Sequence, residues 1–378
     1  MRAWDGFPTL PRSYFLKTMA TKTPQEKTSR NGKGTSQELD RETLHHYLEQ
    51  MLLGRRFEEK CAEAYALGKI GGFCHLYIGQ EAVAVGAFAA LRPDDYVIGA
   101  YREHVQALVK GMDPRKVMAE LFGRRDGSSK GKGGSMHMYS AEHHFMGGWG
   151  IVGGQIPLAT GMGWAIKYRQ QDLVCVCFMG EAAVNQGAFH ESLNMAALWK
   201  LPVLFVVENN RFGMGTAWER ASSLYDISQK AHAYDMPSCV ADGMNVVDMR
   251  EKVQVAVDRA RAGEGPTLIE ARCHRFMGHS MSDPVHGVYR TKEEVEEAKQ
   301  RDPIRIFIDY LKTNNHISDD EVKAIDSRMH KIVDEAAEFA ENSPEAGIEE
   351  LYTDVYADEA VHGRLFFDRK NRLSGSEG

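Results

Sequence analysis

Two short stretches of this 378-residue chain combine residue types that can do chemistry. The first, CFMGEAAVNQG over Cys177–Gly187, places Glu181 after an apolar run and ahead of a helix-like run, AFHESLNMAALWK. The second, ENNRFG over Glu208–Gly213, follows the apolar run PVLFVV. An acid at the tip of a buried strand could hold a metal, a ribose or nothing at all. Open α/β sheets bind ligands beyond the carboxyl ends of their strands, so both stretches are expected at one sheet edge. There the Glu181 carboxylate, an Asn210 amide oxygen and a nearby backbone carbonyl form a set of hard oxygens suited to magnesium, which keeps water and phosphate oxygens as its other ligands. Ala182 and Ala183 open a helix whose free N–H groups can receive a phosphate. GEAA alone says almost nothing. Paired with Asn-Asn at the next strand end, it describes a magnesium–diphosphate site.

The elements that must position these residues follow from spacing. Helices are predicted over 155–170, 187–199, around 226–233 and over 248–262, and strands over 173–179, 202–208 and 266–272. Strands separated by helices of this length indicate βαβ units and a mostly parallel sheet flanked by helices, an α/β fold. Upstream, Leu39, Leu44, Tyr47, Leu48, Met51 and Leu52 repeat at helical spacing. GQEAVAVGAFAALRPDD reads as a small-residue helix closed by Pro93, YVIGA as a short strand, and Asp113-Pro114 as a helix start with proline at the first position. Residues 123–154 are so rich in glycine that they read as loop, yet their aromatic and apolar residues separate them from a flexible linker. The charged, helical stretch 292–343 is expected to wrap the domain or a partner. One domain is expected over 38–345, with N- and C-terminal helical extensions, a C-terminal extension and tail over 346–378, and a leader or disordered arm over the polar, basic residues 1–37.

Composition excludes several classes. A formal net charge of −7 argues against nucleic acid as the partner. No segment approaches the roughly 18 apolar residues that a membrane span needs. The cysteines (Cys61, Cys74, Cys175, Cys177, Cys239, Cys273) are scattered with no CxxC spacing, which disfavours zinc and disulfides and points to a reducing compartment. A bacterial cytoplasm is expected, with the mitochondrial matrix as the alternative because residues 1–37 share the composition of a transit peptide. An NAD-binding reading is disfavoured, since no GxGxxG follows a strand.

Longer segments make the reading specific. GGFCHLYIGQEAVAVG, AYREH, GKGGSMHMYS, GIVGGQIPLATG, NQGAFHESLNMAALWKLPVLFVVENNRFGMGT and GHSMSDP…YRT together resemble the alpha subunits of the decarboxylating component of 2-oxoacid dehydrogenase complexes, the pyruvate dehydrogenases above all. The resemblance spans about residues 40–345 and implies the thiamine diphosphate-binding fold, with thiamine diphosphate and Mg2+ as cofactors. It implies that Tyr101 and Arg102 hold the diphosphate, and that Gly150 and Val152 offer backbone groups to the aminopyrimidine. Glu181, Asn210 and the Phe212 carbonyl would bind the metal, and Ala182 and Ala183 would present N–H groups to phosphate. His75 and His279 would act near the thiazolium and substrate. His104 is a weaker candidate, His137, His143 and His144 weaker still, and Glu81 reads as a helix-start acid with a polar partner.

The sequence departs from the family signature, with Glu181 in place of aspartate and Ala182 in place of glycine; glutamate is an equally competent hard ligand, one methylene longer. The resemblance also implies partners. The carboxylate that touches the aminopyrimidine belongs to a beta subunit, so an alpha2beta2 heterotetramer is expected, passing an acetyl group to the lipoyl group of an acyltransferase component. The alternatives are the alpha subunit of a branched-chain 2-oxoacid or acetoin dehydrogenase, or a weakly active thiamine-binding subunit. Gly278, Pro284 and Gly287 mark a loop on the same edge; Ser280 within it aligns with a serine that kinases phosphorylate in mitochondrial relatives.

Overall fold

The computed structural model describes residues 39–354. The expected leader over 1–37 and most of the expected tail lie outside the described residues. Helices α1 (Arg41–Ala66), α2 (Glu81–Phe88), α3 (His104–Val109) and α4 (Pro114–Leu121) accompany strand β1 (Tyr96–Ala100), and β2 (Phe145–Trp149) follows. Next come α5 (Gln155–Tyr168), β3 (Cys175–Gly180), α6 (Gly187–Leu198) and β4 (Val203–Asn209). A two-residue hairpin, β5 (Phe212–Gly213) and β6 (Thr216–Ala217), leads to α7 (Trp218–Ala221), then β7 (Ser238–Asp242), α8 (Val246–Arg261) and β8 (Thr267–Arg272). Helices α9 (Lys292–Lys299), α10 (Pro303–Thr313) and α11 (Asp319–Asn342) complete the described chain.

Six strands form one sheet in the order β2-β1-β3-β4-β8-β7, every neighbouring pair parallel. Strand β4 is buried throughout and β3 nearly so, as required when helices cover both faces. Gly180 pairs with Glu208, so the two polar stretches leave the sheet side by side at its carboxyl edge.

Local sequence explains the helix starts. Asp40 accepts from the Thr43 N–H at 2.7 Å, Asp113 caps α4 with Pro114 at its first position, and Thr291 and Ser318 each complete a capping box with the glutamate three residues on. Helix α2 is buried along its whole length. Its small residues let it approach α8: a Cβ at Gly86 would lie 2.5 Å from the Cβ of Met249. The charged helix α11 packs on α1 and α4 of its own chain.

Two strands of the six-stranded sheet, and the short hairpin β5–β6, were not legible. β2 lies inside the glycine-rich stretch read as loop, and β7 has an uneven burial pattern over its five residues. The segment after Glu181 is one 3-10 turn, Glu181–Asn185, before α6 begins. The stretch Ile227–Tyr234 is 3-10 as well.

Candidate active site

The carboxyl edge opens into a cavity of about 240 Å³, lined among others by Tyr101, Arg102, Val152, Glu181, Ala182, Ala183, Asn210, Phe212 and His279. These residues come from the segments that directly follow β1, β2, β3, β4 and β8, and the fold brings them to one place. Gly150 lies apart from that lining; a Cβ there would meet the His137 ring at 3.2 Å. His75 stands one layer behind, its ring 4.5 Å from that of Tyr101 and 5.2 Å from that of His279.

The electrostatics of the cavity are those of an anion site. Arg102 is buried, and its guanidinium donates to the carbonyls of Leu76 and His279, each at 2.6 Å. Arg275 is buried too; it donates to the Met277 carbonyl and the Tyr289 hydroxyl, and faces Asn210 Oδ1 at 3.4 Å and the Phe212 carbonyl at 3.5 Å. Neither cation has a carboxylate partner among these bonds. Burial, with the neighbouring Arg275 charge, lowers the Arg102 pKa to about 10, which still leaves it a cation at neutral pH. Two buried, unneutralised guanidinium groups facing one cavity call for an anion with several oxygens.

The acids of the cavity fit a metal beside that anion. Glu181 is 2% exposed; among the described residues its Oε1 has no hydrogen-bond partner and its Oε2 accepts only a long 3.4 Å bond from the Asn210 N–H. Burial raises its pKa, opposed by Arg275 and Arg102. A bound divalent cation would reverse that shift and satisfy the orphan oxygen. Asn210 Oδ1 and the Phe212 carbonyl both face the Arg275 guanidinium, so a cation already sits against two of the three expected ligand oxygens. Glu208, which also lines the cavity, accepts from Gln106 at 3.2 Å and from the Tyr77 hydroxyl; burial pushes its pKa up to about 7.

Both histidines are held neutral. Burial, reinforced by Arg102, lowers His75 to about 2 and His279 to about 4, and each has an Nδ1 without a partner. The weaker candidates are satisfied elsewhere: His104 binds Glu58 and Ser135, His137 the Gly148 carbonyl, His143 Ser140, and His144 the Asp94 carbonyl. Glu81 is fully buried and chelates the Arg55 guanidinium, which also binds Asp302, joining α1, α2 and the start of α10.

Sequence reasoning missed three residues of the site. Nothing in the local sequence marks the approach of Arg275 to Asn210. Gln80 holds Asn210 by accepting from its amide at 3.0 Å. Glu120, fully buried on α4, accepts from the backbone N–H groups of Ser129, Gly131, Gly133 and Gly134 at 2.7–3.1 Å. That carboxylate is why the glycine-rich stretch has a defined shape, as its aromatic content had suggested.

Comparison with known proteins identifies the family. The profile of the family described as "Dehydrogenase E1 component" matches residues 49–349. A "Pyruvate dehydrogenase E1 component subunit alpha" of Rhizobium meliloti is 49% identical over 323 residues, covering 85% of this chain and 92% of that protein. The protein of the same name from Zymomonas mobilis is 49% identical over 321 residues, covering 84% and 89%. A chloroplastic "Pyruvate dehydrogenase E1 component subunit alpha-3" of Arabidopsis thaliana is 45% identical over 342 residues, covering 88% and 78%. The chain therefore belongs to the dehydrogenase E1 component family.

Proposed function

We propose that this chain is the alpha subunit of a pyruvate dehydrogenase (acetyl-transferring), and that it binds thiamine diphosphate with Mg2+ in the cavity at the ends of β3 and β4. The observation that carries the reading is the orphan Glu181 oxygen beside two buried arginines that, among the described residues, lack carboxylate partners. The metal would be held by the Glu181 carboxylate, Asn210 Oδ1 and the Phe212 carbonyl, and the diphosphate by Tyr101, Arg102, Arg275 and the N–H groups of Ala182 and Ala183. Backbone groups of Gly150 and Val152 would meet the aminopyrimidine.

When bound, thiamine diphosphate supplies a nucleophilic ring carbon and an electron sink for decarboxylation. The chain's own residues orient and dry the site. The rings of His75, Tyr101 and His279 pack against one another and would help to exclude water. Both imidazoles, uncharged near pH 7, can each offer a donor and an acceptor to a 2-oxoacid without a further buried charge. The carboxylate that activates the aminopyrimidine is assigned to a beta subunit, which makes the working enzyme an alpha2beta2 heterotetramer. Its product acetyl group passes to the lipoyl group of an acyltransferase. Pyruvate is favoured over branched-chain 2-oxoacids and acetoin by the names of the relatives.

Titration calorimetry on the alpha–beta assembly tests the reading: saturable binding of thiamine diphosphate that requires Mg2+, with no heat from NAD, is expected. Metal-independent binding, or none, would overturn it. No helix of the described residues is long and apolar enough to cross a membrane.

A further inference from the structure

The segment between α1 and α2 contains His75 but has no regular secondary structure, so the backbone there must be held by groups from elsewhere. It is held at five successive residues. The Cys74 carbonyl accepts from the Met281 N–H at 2.8 Å, and the Ile78 carbonyl from the Phe276 N–H at 3.0 Å. Between them, the His75 N–H donates to Ser135 Oγ at 3.4 Å, the Leu76 carbonyl accepts from Arg102 at 2.6 Å, and the Tyr77 N–H donates to Glu58 Oε1 at 2.9 Å.

Two of these anchors are joined through a third buried side chain. His104 Nδ1 lies 2.9 Å from Glu58 Oε2 and its Nε2 lies 2.9 Å from Ser135 Oγ. One assignment of protons satisfies every member. The His75 N–H donates to Ser135 Oγ, the Ser135 hydroxyl donates to His104 Nε2, and His104 Nδ1–H donates to Glu58, whose other oxygen takes the Tyr77 N–H. Acid, imidazole and hydroxyl stand in the order found in hydrolytic triads. Here, however, Ser135 is only 4% exposed and its oxygen is committed to the His75 amide, so the row holds the chain and does not attack a substrate.

We propose that Glu58, His104 and Ser135 are positioning residues, a buried relay that fixes the His75–Tyr77 backbone and thereby aims the His75 imidazole at the reacting end of the site. The inference rests on the proposed role of His75. Helix α1 supplies the acid, the start of α3 the imidazole, and the 3-10 turn Gly134–Met136 the hydroxyl, so the relay ties three elements to one catalytic segment. Arg102 extends the tie by donating to the carbonyls of both Leu76 and His279.

The test uses the alpha–beta assembly loaded with Mg2+ and thiamine diphosphate, once wild-type turnover of pyruvate is established; absent wild-type turnover would count against the functional reading and not against the relay. Ser135→Ala should lower kcat about tenfold, as expected for loss of one or two buried hydrogen bonds, while KM and cofactor affinity stay within about twofold. An unchanged kcat, or a loss matched by an equal loss of cofactor affinity, overturns the proposal. His104→Gln keeps a donor and an acceptor and should retain kcat within about threefold, whereas His104→Leu should lose as much as Ser135→Ala. Equal kcat in the two His104 variants overturns the proposal even if the Ser135→Ala chain fails to assemble.

Discussion

The imidazoles of His75 and His279 meet edge to face with ring centres 5.2 Å apart, and Arg102 ties their two chain segments together through the carbonyls of Leu76 and His279. The same arginine therefore holds both histidine segments and lines the cavity, so under the proposed function it would couple diphosphate binding to the placement of the two imidazoles.

This pairing predicts a pH dependence of stability. Both histidines have folded-state pKa values below the ordinary 6.5, about 2 for His75 and about 4 for His279, chiefly through burial. Below pH 6.5 the unfolded chain binds protons that the folded chain refuses, so the contribution is complete above 6.5 and lost as pH falls toward 4 and beyond. The melting temperature of the cofactor-free protein should fall from pH 7 to pH 5. The slope should be smaller in His279→Asn; an identical slope would remove His279 from the account.

Under the proposed function Glu181→Ala should weaken binding of Mg2+ and thiamine diphosphate roughly a hundredfold or more, because it would remove a direct metal ligand, whereas Glu181→Asp should stay within about tenfold. Calorimetry on the assembled enzyme reads both. Unchanged cofactor affinity in Glu181→Ala would take Glu181 out of the metal site.

Glu120→Ala should cost on the order of 3 kcal/mol, since it leaves four backbone N–H groups of the glycine-rich stretch without their acceptor. Tryptic cleavage after Lys130 and Lys132 should accelerate in the variant. Equal cleavage rates would show that the stretch keeps its shape without the carboxylate.

The loop after β8 is pinned by Arg290, which donates to the carbonyls of Arg275, Met277 and Val285. Cofactor contacts to Arg275 and His279 should tighten it further. Proteolysis around Arg275 and Arg290 in the heterotetramer should slow when Mg2+ and thiamine diphosphate are added. The same rate with and without them would contradict that ordering.

The parallel sheet was legible because β3 and β4 are apolar runs of ordinary length separated by a periodic helix, and the edge was legible because Gly180-Glu181 and Glu208-Asn209-Asn210 break those runs at matching ends. The strand β2 was not, because FMGGW carries two glycines; Gly148 must be small there, as a Cβ would lie 2.1 Å from the Glu103 carboxyl. Glu58 and Glu120 look in sequence like the solvated faces of charged helices. Their burial is visible only once the backbone amides that they serve, 19 residues away for Tyr77 and 9 to 14 for the glycine-rich stretch, have been folded onto them. Arg275 was hidden for the same reason, its partners Asn210 and Phe212 lying 65 and 63 residues upstream.

On the proposed function, this chain carries the diphosphate and metal half of a thiamine diphosphate site and needs a beta subunit for the rest. Pyruvate-dependent reduction of an artificial electron acceptor, measured with Mg2+ and thiamine diphosphate, tests it most directly. The pure chain should give no turnover, and adding the matching beta subunit should restore it. Robust turnover by the pure chain, or none after a beta subunit has assembled with it, would contradict the account.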